Sequence, residues 1–387
     1  MLLTKLTELT YALDKFFTKV YIKNMKVGFF GGAFDPFHVE HKNIILCAKE
    51  ELDLDRIVVY PSYLPPHKSC VGDFDLRLAT VIEGTKDIPS VEVDTIERDR
   101  GVSNPTYQVL PLLKNKYSVD KAYLIIGGDS MLNFSRWLKP EVIAKECTLL
   151  VAGRSGVDLE KGITLAQEKY GADIKVLNYV GKEVSSSVIK AQIILGENSP
   201  YLDSGVQKIL VEAKAYGEFD SIIEKLKNNL TERTFAHVKR TVFYALKLNT
   251  KLGLDFKKVF LACLLHDCTK NQKISMDGVI DQVVHQYTGA KSAEADYGIT
   301  DEEILDAIKY HTTGKAHMSE LGKLIYCADM LEEGRVYQGV EDLRKTIESD
   351  FQKGFLACIN ASMDNILSKK SPVDPLTKEC CLYYNNL

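Results

Sequence analysis

The chain has 387 residues, a formal net charge of −4 and a hydrophobic content of 45%. That length suits about two or three domains, and the weak negative charge excludes a strongly basic nucleic-acid-binding or membrane-surface protein. No apolar run approaches the roughly 20 residues of a spanning helix. No signal peptide is visible, and nine scattered cysteines without a Cys-x-x-Cys read as reduced thiols of a cytoplasmic protein.

Residues 1–24 read as a helical extension, with Leu2, Leu6, Leu9, Leu13, Phe16, Phe17 and Val20 on one broad face. Strands and helices then alternate to about residue 190. Val27–Phe30 is an apolar run ended by Gly31-Gly32, and a helical pattern starts near His38. Further strands are expected at 56–60, 91–93, 122–126, 148–152 and 174–177, with a Pro-rich loop from Pro61 to Lys68 and a helix over 105–113. This alternation predicts a parallel sheet covered on both faces, a Rossmann-like α/β domain, with ligands beyond the carboxyl ends of the strands. A charged, helix-prone segment follows Pro200. From Thr231 no strand pattern appears, and the second half reads as an all-α bundle.

The first candidate site is the stretch Gly31-Gly32-Ala33-Phe34-Asp35-Pro36-Phe37-His38-Val39-Glu40-His41. Two histidines three apart at a strand-to-helix transition share one face of a first helical turn. A helix N-terminus attracts phosphate, so the pair can hold a polyphosphate. Val184-Ser185-Ser186-Ser187-Val188-Ile189-Lys190 opens another helix with hydroxyls and free backbone N–H groups. Together the two stretches resemble the nucleotidyltransferase superfamily marked by a His-x-Gly-His motif and a second, phosphate-gripping Ile-Ser-Ser-Thr-x-Ile-Arg signature. Here Glu40 stands for Gly, Ala33 for the usual Thr and Lys190 for Arg. Within that superfamily Pro65-Pro66-His67-Lys68, Gly127-Gly128-Asp129-Ser130, Thr106, the single Trp137 and Arg154 look like bacterial nicotinate-nucleotide adenylyltransferase. The resemblance implies that Trp137 stacks on the pyridine ring. It also implies that Gly31, Gly32, Phe34, Lys68, Thr106, Gly127, Asp129, Arg154, Ser186, Ser187 and Lys190 bind nucleotide. A core tryptophan is the plainer alternative for Trp137.

In the second half the histidines follow apolar helical runs: His237, His266-Asp267, His285 and His311, with Asp329 after Leu324–Ala328. A lone histidine of this kind is more often a satisfied core residue, but a His-Asp pair with His before it and Asp after it suits a helical metal site. With Lys270, Thr312 and Arg335 in their local motifs, the half resembles the HD metal-dependent phosphohydrolases. It is most similar to the iron-dependent bacterial family that splits diadenosine tetraphosphate into two ADP. By that resemblance His237, His266, Asp267 and Asp329 hold one metal, and His285 and His311 hold a second or face the phosphates. His317 has no counterpart and reads as a surface residue.

The implied organisation is an extension over 1–24, a nucleotidyltransferase domain over 25–215, a linker over 216–230 and an HD domain over 231–387. The implied chemistry is adenylyl transfer from ATP with Mg²⁺ to nicotinate mononucleotide, with His38 and His41 catalytic. A two-metal hydrolysis would accompany it, with Asp267 and Lys270 catalytic and iron as the expected metal. Alternatives within reach of the same residues are a pantetheine-phosphate or CTP-using transferase, and an HD half acting as a mononucleotide phosphatase or a nucleotide-sensing module. The expected partners are small nucleotides, with no nucleic acid or membrane, and a homo-oligomer is left open.

Overall fold

The computed structural model describes residues 25–65, 72–101, 104–154, 158–182 and 184–386; the expected helix over 1–24, and Lys68, lie outside them. By contacts the chain forms two compact units. One comprises residues up to Val184 together with Pro200–Ala213, the other Ser185–Ser199 together with Lys214 onward.

The first unit is built on six strands, β1 (Lys26–Gly32), β2 (Arg56–Pro61), β3 (Val91–Val93), β4 (Lys121–Gly127), β5 (Thr148–Arg154) and β6 (Ile174–Gly181). They form one sheet in the order β3-β2-β1-β4-β5-β6, and every pairing is parallel. The central strands β2, β1, β4 and β5 read as near-continuous apolar runs because both faces are covered. Val27, Phe29, Val58, Leu124 and Val151 face one core, while Phe30, Ile57, Val59, Ile125 and Leu150 face the other. The second core is closed by α1 (Val39–Leu52) and α2 (Phe74–Thr85) through Ile45, Ala48 and Val81. After α3 (Ile96–Arg100), the first core is closed by α4 (Thr106–Lys116), α5 (Gly128–Leu132), α6 (Pro140–Glu146) and α7 (Glu160–Tyr170).

β6 runs well past the expected Leu177. It is an edge strand whose Val176 and Val180 are exposed, so hydrophobicity alone does not mark its end. Strand order reverses between β1 and β4. Gly31-Gly32 and Gly127 therefore end adjacent strands at the switch point, where open parallel sheets bind ligands.

The second unit is helical. It contains α8 (Ser186–Ile194), which carries the serine-rich signature, while α9 (Ser204–Glu212) belongs to the first unit. There follow α10 (Asp220–Asn229), α11 (Glu232–Leu252), α12 (Phe256–Leu265), α13 (Asp281–Tyr297), α14 (Glu302–Lys309), α15 (Glu320–Leu331), α16 (Val340–Ser349), α17 (Phe351–Ser368) and α18 (Pro375–Asn385). Side-chain caps start the central helices: Thr231 accepts from Thr234 N, Asp255 from Lys258 N and Ser319 from Gly322 N. Gly253 and Gly298 end α11 and α13 at φ near +69°, the left-handed conformation glycine adopts without cost. α8 packs on α11, and Lys190 is buried with its ammonium 4.7 Å from the Phe256 ring centroid. These contacts group residues 185–199 with the helical unit rather than with the sheet. No described helix is long and apolar enough to cross a membrane.

Candidate active sites

In the first unit the two histidines meet at the start of α1. Their rings stack at 3.7 Å between centroids. His41 Nδ1 accepts the backbone N–H of His38 at 3.2 Å, so the ring hydrogen lies on Nε2 and makes that atom a donor. Phe30, Phe34 and Phe37 surround His41, the Phe34 ring edge-on at 5.0 Å. The loop before the helix holds Phe34 at φ +48°, a left-handed conformation that costs a non-glycine residue energy and often marks a ligand loop. Gly31 is required by packing: a Cβ there would sit 2.5 Å from the Tyr60 ring. At Gly32 it would sit 3.0 Å from the Phe34 ring, while at Gly127 it would meet nothing within 4 Å.

Glu40, between the histidines, turns its carboxylate to β6. Oε2 accepts from Tyr179 Oη at 2.5 Å and Lys182 N at 2.9 Å. Asp129 is exposed in the first turn after β4, and Thr106 opens α4. Trp137 is partly buried, its ring 5.6 Å from Phe134, at the margin of the core. Ser185 is the N-cap of α8 without a side-chain cap bond, and Ser186 and Ser187 are its first two residues. Arg154 ends β5; its side chain, like Lys68, lies outside the described residues.

Sequence reasoning passed over Arg77. It is buried in α2 and donates to Ala33 O (2.7 Å), Ser62 O (2.8 Å), Gly72 O (3.2 Å) and Tyr63 O (3.3 Å), tying the segments that follow β1 and β2. Glu97 accepts Tyr63 N at 3.1 Å. Its burial pushes the carboxyl pKa up to about 7, against the pull of the Tyr63 N–H and Arg77. Nothing in the local sequence separates this arginine from a solvated one on an amphipathic helix.

In the second unit five helices deliver the acid and imidazole groups to one point. His237 comes from α11, His266 and Asp267 from the end of α12, His285 from α13, His311 from just past α14 and Asp329 from α15. Among the described residues, two sets have ligand atoms close enough to hold a metal ion: His237, His266 and Asp329, and His266, Asp267 and His311. The donor chemistry fits a cation. His266 Nδ1 and His311 Nδ1 donate to the carbonyls of Cys263 (2.6 Å) and Ile308 (2.7 Å), which leaves each Nε2 as a lone pair aimed inward. His266 Nε2 lies 3.3 Å from His237 Nε2, and His311 Nε2 3.2 Å from His285 Nε2.

Asp267 stands between the pairs. Oδ2 is 3.9 and 3.7 Å from His237 and His266, and Oδ1 is 3.3 and 3.5 Å from His285 and His311. Oδ1 is buried without a well-formed hydrogen bond, an expensive state that a cation would relieve. Burial opposes ionisation of Asp267, but His266, His311 and Lys270 outweigh it and hold the carboxyl far below its usual range. Burial also pushes His266 down to about 4 and, with His311 and Lys270 adjoining, His285 to about 3. At His237 burial acts downward, yet hydrogen bonds with Asp329 and Glu332 raise the ring to about 9.

Lys270 Nζ is 2.8 Å from His285 Nε2 and 3.5 Å from Asp267 Oδ1. Thr312 Oγ1 is 3.1 Å from His285 Nε2. Arg335 donates to Asp329 Oδ1 at 2.6 Å. Gln286, not singled out from the sequence, accepts from Thr312 N and Thr313 N and so fixes the turn after His311. His317 is exposed and bonds Tyr383 Oη at 2.8 Å, away from this cluster.

The family model for cytidylyltransferase-like proteins matches residues 29–192, and the HD domain model matches residues 234–334. A probable nicotinate-nucleotide adenylyltransferase of Rubrobacter xylanophilus is 32% identical over 197 residues, covering 50% of this chain and 92% of that protein. One from Aliarcobacter butzleri is 31% identical over 170 residues, covering 44% and 88%. A symmetrical bis(5'-nucleosyl)-tetraphosphatase of Bacillus subtilis is 33% identical over 166 residues, covering 39% of this chain and 89% of its own length. Through its cytidylyltransferase-like half the chain belongs to the nicotinate-nucleotide adenylyltransferase family, and it joins that half to an HD domain.

Proposed function

We propose that the chain carries two activities: adenylyl transfer from ATP to nicotinate mononucleotide in the first half, and hydrolysis of diadenosine tetraphosphate to two ADP in the second. In the first reaction a phosphate oxygen of the mononucleotide attacks the α-phosphorus of ATP, and the bond to the β-phosphate oxygen breaks, releasing pyrophosphate. No protein nucleophile is needed, so placement and charge neutralisation carry the rate. ATP arrives as its Mg²⁺ complex. His41 Nε2–H is the donor for the leaving phosphates, with His38 stacked on it at the mouth of α1. Trp137, half-exposed at the core margin, is the surface on which the pyridine ring stacks.

In the second half the observation that carries the reading is the division of Asp267, with one carboxylate oxygen toward His237 and His266 and the other toward His285 and His311. Divalent metal held there would supply an activated water and positive charge beside the phosphates. Asp267 bridges the two imidazole pairs, His266 and His311 present bare Nε2 atoms, and Lys270 and Arg335 pair with the remaining phosphate charge. Water adds at a central phosphorus, the bridging oxygen leaves, and two ADP result.

The test is Asp267→Ala in the whole chain. Hydrolysis of diadenosine tetraphosphate and bound transition metal should both be lost while adenylyl transfer continues. A parent protein without metal, or hydrolysis that survives the substitution, refutes the two-metal reading and leaves the HD half as a nucleotide-sensing module.

A further inference from the structure

We infer that Glu332 is a positioning residue of the metal centre: its carboxylate fixes the tautomer and direction of His237, so that Nε2 of that ring faces the cation. The inference rests on the metal-dependent reading of the HD half. His266 and His311 are oriented by backbone carbonyls three residues earlier, at chain turns just past α12 and α14. His237 lies inside α11, where carbonyls are taken by the helix ladder, so its Nδ1 needs a partner from elsewhere. Glu332, the residue that ends α15, supplies it: Oε1 lies 3.1 Å from His237 Nδ1.

Glu332 is itself held firmly. Its side chain is 2% exposed. Arg240, on α11 three residues after His237, donates to Oε2 at 2.5 Å and to Oε1 at 3.2 Å, and Gly334 N donates to Oε2 at 2.5 Å. A carboxylate bound on both oxygens cannot turn away from the imidazole. The same short turn brings Arg335 onto Asp329, the ligand of α15. A carboxylate behind a ligating imidazole also raises its basicity, which a carbonyl does less strongly.

A plain Arg240–Glu332 ion pair would hold the helices together without touching metal affinity, and this separates the two roles. The experiment titrates full-length parent and Glu332→Gln with Mn²⁺ against a competing chelator, with thermal unfolding of both proteins followed by circular dichroism as the folding control for the helical unit. Loss of the second-sphere carboxylate should weaken Mn²⁺ binding by about 10- to 100-fold. Equal affinity in the two proteins overturns the positioning role. A parent that binds no metal overturns the hydrolase reading and this role with it. Should the variant misfold, ¹⁵N spectra of histidine side chains in Zn²⁺-loaded parent decide, with His237 assigned through His237→Gln. A protonated Nδ1 and a metal-shifted Nε2 support the inference, and the opposite pattern overturns it.

Discussion

Replacing His41 by alanine removes a ring with two separable jobs. Its Nδ1 accepts the His38 N–H and its faces pack among Phe30, Phe34 and Phe37. Losing that hydrogen bond at the start of α1 costs about 1 kcal/mol, and the vacated aromatic cage adds roughly 1–3 kcal/mol. These are stability costs, read by thermal unfolding. The catalytic cost is distinct: a preorganised donor aimed at charge developing on leaving phosphates is worth roughly 10²–10³ in kcat. His41→Asn sharpens the separation, since its carboxamide oxygen can still accept the His38 N–H while the Nε2 donor is gone. Both variants should release pyrophosphate from ATP and nicotinate mononucleotide at rates reduced by about 100-fold or more at saturation, the Asn variant with the smaller loss of Tm. A variant with parent kcat and only a raised KM would make His41 a ground-state contact and refute the transition-state role.

Trp137→Ala should raise KM for nicotinate mononucleotide by about 10- to 100-fold, the equivalent of a base–aromatic stack of 1–3 kcal/mol, with KM for ATP unchanged. Because Trp137 sits at the core margin, the variant should stay folded, and a variant that unfolds returns it to the core. Glu97 gives a pH-dependent stability. Its folded pKa of about 7 lies above the ordinary 4.5 because burial disfavours the charge. Between pH 4.5 and 7 the unfolded chain sheds this proton and the native chain keeps it, so stability falls as pH rises, by roughly 3 kcal/mol in full above pH 7. Glu97→Gln should match the parent near pH 4.5 and exceed it by about that amount at pH 8 in denaturant titrations. Parallel curves for the two proteins across this range would show that Glu97 ionises normally.

Much of the fold was legible before the structure. The four central strands are short apolar runs ended by Gly, Pro or charge, a local pattern that depends on neighbours in sequence. The His38–His41 spacing and the helical runs before His266 and Asp329 are equally local, and they point to phosphate and metal chemistry wherever the chain puts them. Tertiary structure alone decided which groups meet. The crossover from β3 to β4 sets β4 beside β1, Phe29 opposite Leu124, so that their glycine ends belong to adjacent strands although no sequence period links them. Helix packing turns the two oxygens of Asp267 toward different imidazole pairs. Arg77 and Glu332 were passed over because each looks like a solvated charge until burial gives it specific partners: four carbonyls for one, an imidazole and a guanidinium for the other. The serine-rich α8 shows the limit most directly. Its sequence belongs with the first half, yet the buried Lys190 ammonium over Phe256 and its packing on α11 group it with the second, because contacts form in space and motifs only along the chain.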